Sequence, residues 1–312
     1  MAAIVAHPSD ALVVENACGA LINLVDHSEG RQAAIDARAP AHVVLAVQAH
    51  LLSEAIAAKG CRALFDIAES DAGKQAAVDA GAAGVVVAAM RAHPSSLKVA
   101  VRGCQALHNI SRFLAGQQAA VDAGAASIVV EAMRVHIHGI VIEYGLSVLC
   151  SITSSSVGAG QRAAVDAGAP QVIVEAMAML PWHKDIVLQG CRALCSTSVL
   201  PGGPQAAVNA DVPAALVAAM RAFPSAVTIA ERGCVTLQNI SRLPAGYQSA
   251  VDAGAPPTFD VDDYITCAVC GLCADLADLP TLLKCSRCVG IAYCSVACQS
   301  KDWKTHKAVC KR

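Results

Sequence analysis

Eight residues near the end of the chain have the types and spacings that hold metal: Cys267 and Cys270, Cys285 and Cys288, Cys294 and Cys298, His306 and Cys310. They form four pairs within 44 residues. The first two pairs leave two residues between the sulfurs, the gap that lets a tight knuckle aim both at one ion. The last two pairs are four apart, which puts both side chains on one face of a helix. Zinc takes four thiolate or imidazole ligands in a tetrahedron, so eight ligands imply two ions. A cluster of buried free cysteines is the bland reading, and it does not account for four chelating spacings in succession. An eighth thiol, Cys273, extends the CxxC rhythm, so Cys270/Cys273 is an alternative first pair. Gly271 favours the earlier register, because a turn under a metal uses the positive φ that glycine tolerates. Closed four-ligand sites leave no position for substrate, so both ions are expected to be structural and the tail to fold only with metal.

Around these ligands the tail reads CAVCG (267–271), CSRC (285–288) and YCSVACQSKDWKTHKAVC (293–310). On those residues it resembles the MYND-type zinc finger. The resemblance implies interleaved pairs, with one zinc on Cys267, Cys270, Cys294 and Cys298 and the second on Cys285, Cys288, His306 and Cys310. It also implies that Gln299 and Trp303 help receive short proline- and leucine-containing peptides in an extended form. Trp303 is the only large aromatic in QSKDWKTHK (299–307), and an exposed tryptophan makes an interaction anchor. A staple over the second zinc is the competing role.

The rest of the chain offers no second site of this kind. It has no GxSxG elbow, no GxxxxGK[ST] loop and no GxGxxG fingerprint, so no enzymatic activity is expected. His136 and His138 are two apart and point in different directions on a helix. His7, His42, His50, His93 and His108 lack cysteine or acidic partners at chelating spacing. From Tyr264 onward seven Lys/Arg stand against three Asp. Seven ligand thiolates and two Zn²⁺ would reduce that excess to about +1, which argues against nucleic acid as a partner.

What must position this tail is the preceding chain. The 312 residues are 55% hydrophobic but only 3% aromatic, so the core must be built from small side chains packed closely, as in stacked helices. Mean hydropathy is +0.50, yet no run of 18 apolar residues supports a membrane span. The start, MAAIVAHPSDALVVEN, shows no basic n-region or cleavage site. Seven cysteines lie outside the tail, mostly one per repeat at helical core positions, where helix spacing of roughly 8–10 Å exceeds the reach of a disulfide. They read as small buried apolar residues in an intracellular protein of the cytoplasm or nucleus.

Self-similarity dominates residues 1–255. QAAVDAGA or a variant recurs so that its Asp or Asn falls at 36, 79, 122, 166, 209 and 252, a period of 43 or 44. Such a period means a solenoid of helical units. Each unit holds three helices: QQAAVDAG (117–124), closed by Gly124; AASIVVEAM (125–133), whose counterpart in the previous unit stops at His93-Pro94; and SLKVAVRGCQALHNIS (96–111). Gly60, Gly103, Gly145, Gly190 and Gly233 recur at one phase of the third helix, which predicts a close crossing where a side chain would collide. MAAIVAHP matches a second helix, so the array is expected to start without a first helix.

The unit resembles the armadillo repeat, with AL-x-N-like segments ALIN (20–23), ALFD (63–66), ALHN (106–109), VLCS (148–151), ALCS (193–196) and TLQN (236–239). The resemblance implies that Asn23, Asn109 and Asn239 line a groove and clamp an extended peptide. Asp66, Ser151 and Ser196 break that ladder, and a capping or packing role for the asparagines is an equal alternative. No tryptophan stands four residues earlier, which argues against import-signal binding.

The expected protein is all-α: an armadillo/HEAT-like right-handed superhelical solenoid of about six repeats (1–255), a short acidic linker (256–263) that keeps the finger close to the last repeat, and a zinc finger (264–312). The expected function is a protein–protein interaction adaptor whose groove and finger both bind extended or proline-containing peptides. A ubiquitin-ligase component or a lysine methyltransferase-associated regulator is the alternative.

Overall fold

The computed structural model describes residues 2–154, 158–255, 259, 283–284, 292–293 and 303. Through residue 255 these are helices joined by short turns. They run α1 (Ala2–Ala6), α2 (Ala11–Leu24), α3 (Ser28–Asp36), α4 (Ala39–Ala49), α5 (Glu54–Ile67), α6 (Asp71–Asp79), α7 (Ala82–Ala92), α8 (Leu97–Ile110), α9 (Leu114–Asp122), α10 (Ala125–Val135), α11 (Gly139–Thr153) and α12 (Ala159–Asp166). There follow α13 (Ala169–Met179), α14 (Lys184–Thr197), α15 (Gly203–Asn209), α16 (Val212–Ala222), α17 (Val227–Ile240) and α18 (Pro244–Asp252). The triplets α3–α5, α6–α8, α9–α11, α12–α14 and α15–α17 reproduce the expected short, middle and long helices of one repeat. The chain divides into two compact units, Met1–Val172 and Ile173–Arg312.

In unit 1 the long third helices α2, α5, α8 and α11 pack side by side, each against the second helix of its own repeat. Ile56, Leu64, Ile67, Leu107, Ile110, Leu146 and Leu149 fill the space between them. In unit 2, α14 packs on α17 and α16 on α17, around Leu194, Leu216, Leu237 and Ile240. Ser53, Ser70 and Ser96 start α5, α6 and α8 by accepting backbone N–H bonds from Ile56, Gly73 and Val99, which satisfies donors a helix start leaves open. The repeated Gln and Asp also gain a reason. Gln32, Gln75, Gln118 and Gln248 each donate to the Asp four residues on, at 2.7–2.8 Å, and Gln205 does the same to Asn209.

The expected crossing at the third-helix glycines is present. A Cβ on Gly145, Gly190 or Gly233 would come within 2.7 Å of the sulfur of Met133, Met177 or Met220, and one on Gly103 would overlap Met90. A second glycine series went unread in the sequence. Gly30, Gly73, Gly116, Gly160, Gly203 and Gly246 sit in the first turns of the short helices, where a Cβ would overlap the carbonyl of Leu24, Ile67, Ile110, Ile152, Thr197 or Ile240. Here the obstacle is backbone, which cannot swing aside as a methionine can. After each short helix one residue adopts positive φ. Four are glycines, but Arg38 (φ 53°) and Asp211 (φ 54°) hold it despite their Cβ atoms.

Histidines dismissed as metal ligands turn out to join repeats. His50, His93 and His136 close α4, α7 and α10, and their Nε2 atoms lie 2.7–2.9 Å from the carbonyls of Pro8, Leu51 and Pro94. A carbonyl only accepts, so Nε2 carries the hydrogen and donates. Each acceptor lies 42 residues back, one repeat away. A bond of this kind contributes about 1 kcal/mol net.

The seven cysteines of the array are free thiols, buried except for the half-buried Cys150. Burial pushes the Cys61, Cys104 and Cys191 thiols up to about 12, so they are packing groups without thiolate chemistry. Among the described residues, no helix is long and apolar enough to cross a membrane.

Candidate functional site

The finger's eight expected ligands, together with Cys273 and Gln299, lie outside the described residues. What is described there is the frame: β1 (Leu283–Lys284) pairs antiparallel with β2 (Ala292–Tyr293), Leu283 opposite Tyr293 and Lys284 opposite Ala292. In sequence, Cys285 and Cys288 fall in the connection between these strands, and Cys294 follows β2 directly. Seven thiols and an imidazole are a donor set suited to zinc. Trp303 is helical and 37% exposed. Of the linker, Phe259 is described. It is buried at 5%, meets the Tyr247 ring edge-on at 6.0 Å, and accepts a bond from Gln238 Nε2 through its carbonyl. Phe259 itself thus packs on the last repeat.

Of the two roles open to the asparagines, Asn109 and Asn239 make the packing bonds. Asn109 is 4% exposed and its Nδ2 donates to the Phe65 carbonyl at 3.0 Å; Asn239 is 7% exposed and donates to Ser198 Oγ at 3.1 Å. Both acceptors lie on the preceding repeat, so these side chains fasten third helices together in place of reaching a ligand. Asn23 is exposed. At the breaks in the ladder, Asp66 is buried and paired with Arg62 at 2.6 Å, while Ser151 and Ser196 bond carbonyls of their own helices.

The polar and aromatic groups that the third helices do present lie one turn away, in unit 1. Tyr144 of α11 reaches back to meet His108 edge-on at 5.4 Å and Phe65 of α5 at 6.3 Å. Arg62 stands 5.8 Å over the Phe65 ring, within cation–π range. Arg102, at the position Tyr144 takes one repeat later, donates to Gln105 Oε1 at 2.9 Å. Burial, with Arg112 nearby, pushes His108 down to about 4, so its ring is neutral, and its Nδ1 is buried with no hydrogen-bond partner. Burial also holds the Asp66 carboxyl above the usual range, although the bond from Arg62 opposes this. The sequence carried a signal for this cluster: Phe65, His108 and Tyr144 are among few rings in a ring-poor chain. Only folding shows that they meet.

Among the described residues, no group of three or more His, Cys, Asp or Glu could hold a metal.

The helical array has the fold of armadillo repeat solenoids. A crystal structure of an engineered protein superposes with a TM-score of 0.61 at 23% identity, covering 75% of this chain and 92% of that one. A designed armadillo repeat protein gives 0.58 at 19% identity, with 74% and 94% covered. A second design, in complex with the peptide (KR)4, gives 0.56 at 19% identity over the same shares. Residues 267–310 match the MYND finger. Short segments of known proteins are also similar to part of this chain: ubiquitin carboxyl-terminal hydrolase 19 of Arabidopsis thaliana is 48% identical over 54 residues, and SET domain-containing protein 14 of Caenorhabditis elegans 50% over 42. These segments are 17% and 14% of this chain, and the chain spans only 7% and 9% of those relatives. The chain thus joins an armadillo-like solenoid to a segment that matches the MYND finger.

Proposed function

We propose that this protein is a non-enzymatic intracellular adaptor, with two structural zinc ions in its finger and two peptide-binding surfaces. One surface is the third-helix face of unit 1; the other surrounds Gln299 and Trp303 and takes extended, proline-containing peptides. The observation that carries this reading is the face around Phe65, Arg102, His108 and Tyr144. Its rings and guanidinium remain half-buried at the surface, when packing alone would ask for small apolar groups. Two modest sites on one chain give avidity for a bivalent partner.

A second reading, recruitment to ubiquitin or lysine-methylation enzymes, draws support from the names of the relatives that share the finger. In either case the finger would be the recruiting element.

Native mass spectrometry of the intact chain should count two zinc ions, and Cys285→Ser should lose one. Affinity capture with the intact chain, Cys285→Ser and Trp303→Ala separates the surfaces. Partners lost with both variants belong to the tryptophan surface; partners kept by both belong to the solenoid. Absence of zinc, or identical partner sets for all three proteins, would remove the finger from the proposal.

A further inference from the structure

The peptide-binding reading of unit 1 leaves the chemistry of the peptide open, and the charges on the face address it. Lys59 is engaged with Glu15 at 2.8 Å, and Arg62 with Asp66 at 2.6 Å. Arg102 makes no ion pair among the described residues; its Nη1 bond goes to the neutral Gln105. Burial, and then the like charge of Arg62, hold the Arg102 guanidinium below the usual arginine range. Two guanidiniums therefore share this face with a single buried carboxylate, Asp66. Lys98, exposed one turn before Arg102 on α8, adds a further cation. An anionic oxygen between Arg62 and Arg102 would relieve their repulsion and find planar donors suited to carboxylate or phosphate. Beside them, the edges of Phe65 and Tyr144 offer apolar surface for a neighbouring side chain.

We infer that the third-helix face of unit 1 binds an extended acidic peptide, with one anionic side chain held between Arg62 and Arg102 and an adjacent apolar side chain on Phe65 and Tyr144. This rests on the peptide-binding reading above. It assigns a ligand of opposite charge to the (KR)4 bound by the designed protein of similar fold; that likeness extends to the backbone, while the charges are this chain's own.

The test is fluorescence anisotropy on the zinc-loaded full chain, with labelled (Glu-Leu)4, (Gln-Leu)4, (phosphoserine-Leu)4 and (Lys-Arg)4 as probes. The glutamate peptide should bind at least about tenfold tighter than the glutamine peptide. Arg102→Gln should weaken it about tenfold, while Arg162→Gln, an exposed change on α12, leaves it unaltered. Should Arg102→Gln not fold, the salt dependence of the wild-type protein decides: binding of (Glu-Leu)4 must weaken several-fold with added salt while (Gln-Leu)4 stays constant. A clear gain for the phosphoserine peptide identifies a phosphorylated source; equal binding means carboxylates suffice. Equal affinity for the glutamate and glutamine peptides, or preference for (Lys-Arg)4, overturns the charge assignment and leaves peptide binding standing. Failure of all four probes removes both.

Discussion

The two units build the junction between successive second helices from equivalent positions, and one is filled where the other is hollow. In unit 1, Met90, Pro94, Ala100, Ile128, Glu131 and Ala132 leave a cavity of about 10 Å³. In unit 2, Met177, Pro181, Val187, Ala215, Ala218 and Ala219 leave about 110 Å³. Among the exchanges lining the seam, Ala215 stands where unit 1 has the buried Ile128 and is three carbons smaller. The clasp differs too. Unit 1 joins its repeats through His50, His93 and His136, whereas unit 2 has Leu180 and Phe223 there. One repeat fold thus tolerates two solutions at its seams, provided the glycine crossings are kept. The third-helix face follows the same division: Phe65 and His108 correspond to Cys195 and Gln238 in unit 2, where no ring occupies the position.

The largest effect should come from what the units share. Gly116→Ala in unit 1 and Gly246→Ala in unit 2 drive a methyl group into a backbone carbonyl, and each should cost about 3 kcal/mol in denaturant unfolding. Gly103→Ala meets only a flexible methionine and should cost about 1–2 kcal/mol. Equal losses at Gly103 and Gly116 would contradict this distinction.

Acid lability should belong to unit 1. Unfolded His108 takes up a proton below about 6.5, and the folded ring only below about 4. Stability is therefore complete above 6.5 and declines as pH falls through that window, by roughly 2 kcal/mol after screening. His108→Gln should flatten the difference in melting temperature between neutral and acidic buffer.

Ala215→Ile should fill the hollow in unit 2 and raise stability by about 1–2 kcal/mol. A destabilised variant would mean that the unit 2 seam has closed to a different shape. The smallest effect is expected from His93→Leu, which imports the unit 2 residue into unit 1. It should cost about 1 kcal/mol through the lost bond to Leu51, seen as faster hydrogen exchange at the end of α7.

Much of the array was legible because helix period, closing glycines, prolines and the recurrence at 43 or 44 residues are properties of neighbouring residues. The collision at Gly103 could be inferred from its phase alone. The series at Gly30, Gly73, Gly116, Gly160, Gly203 and Gly246 recurs as regularly, but the carbonyls it meets belong to the preceding long helix and have no residue signature. The asparagines show the limit most clearly: ALHN and TLQN fit a groove ladder and an inter-repeat fastener equally well, since both need an amide at that position.

By itself, the sequence determined the three-helix repeat, the order of array and tail, and the zinc-suited spacing of the tail's cysteines and histidine, because each is written in local spacing. The tertiary structure alone decided that Asn109 and Asn239 turn inward, that histidines 43 residues apart clasp one another's repeats, and that Phe65, His108 and Tyr144 meet on one face. Those outcomes depend on how far each repeat is displaced from the last, and that distance is set by packed volume between helices, which no run of neighbouring residues specifies.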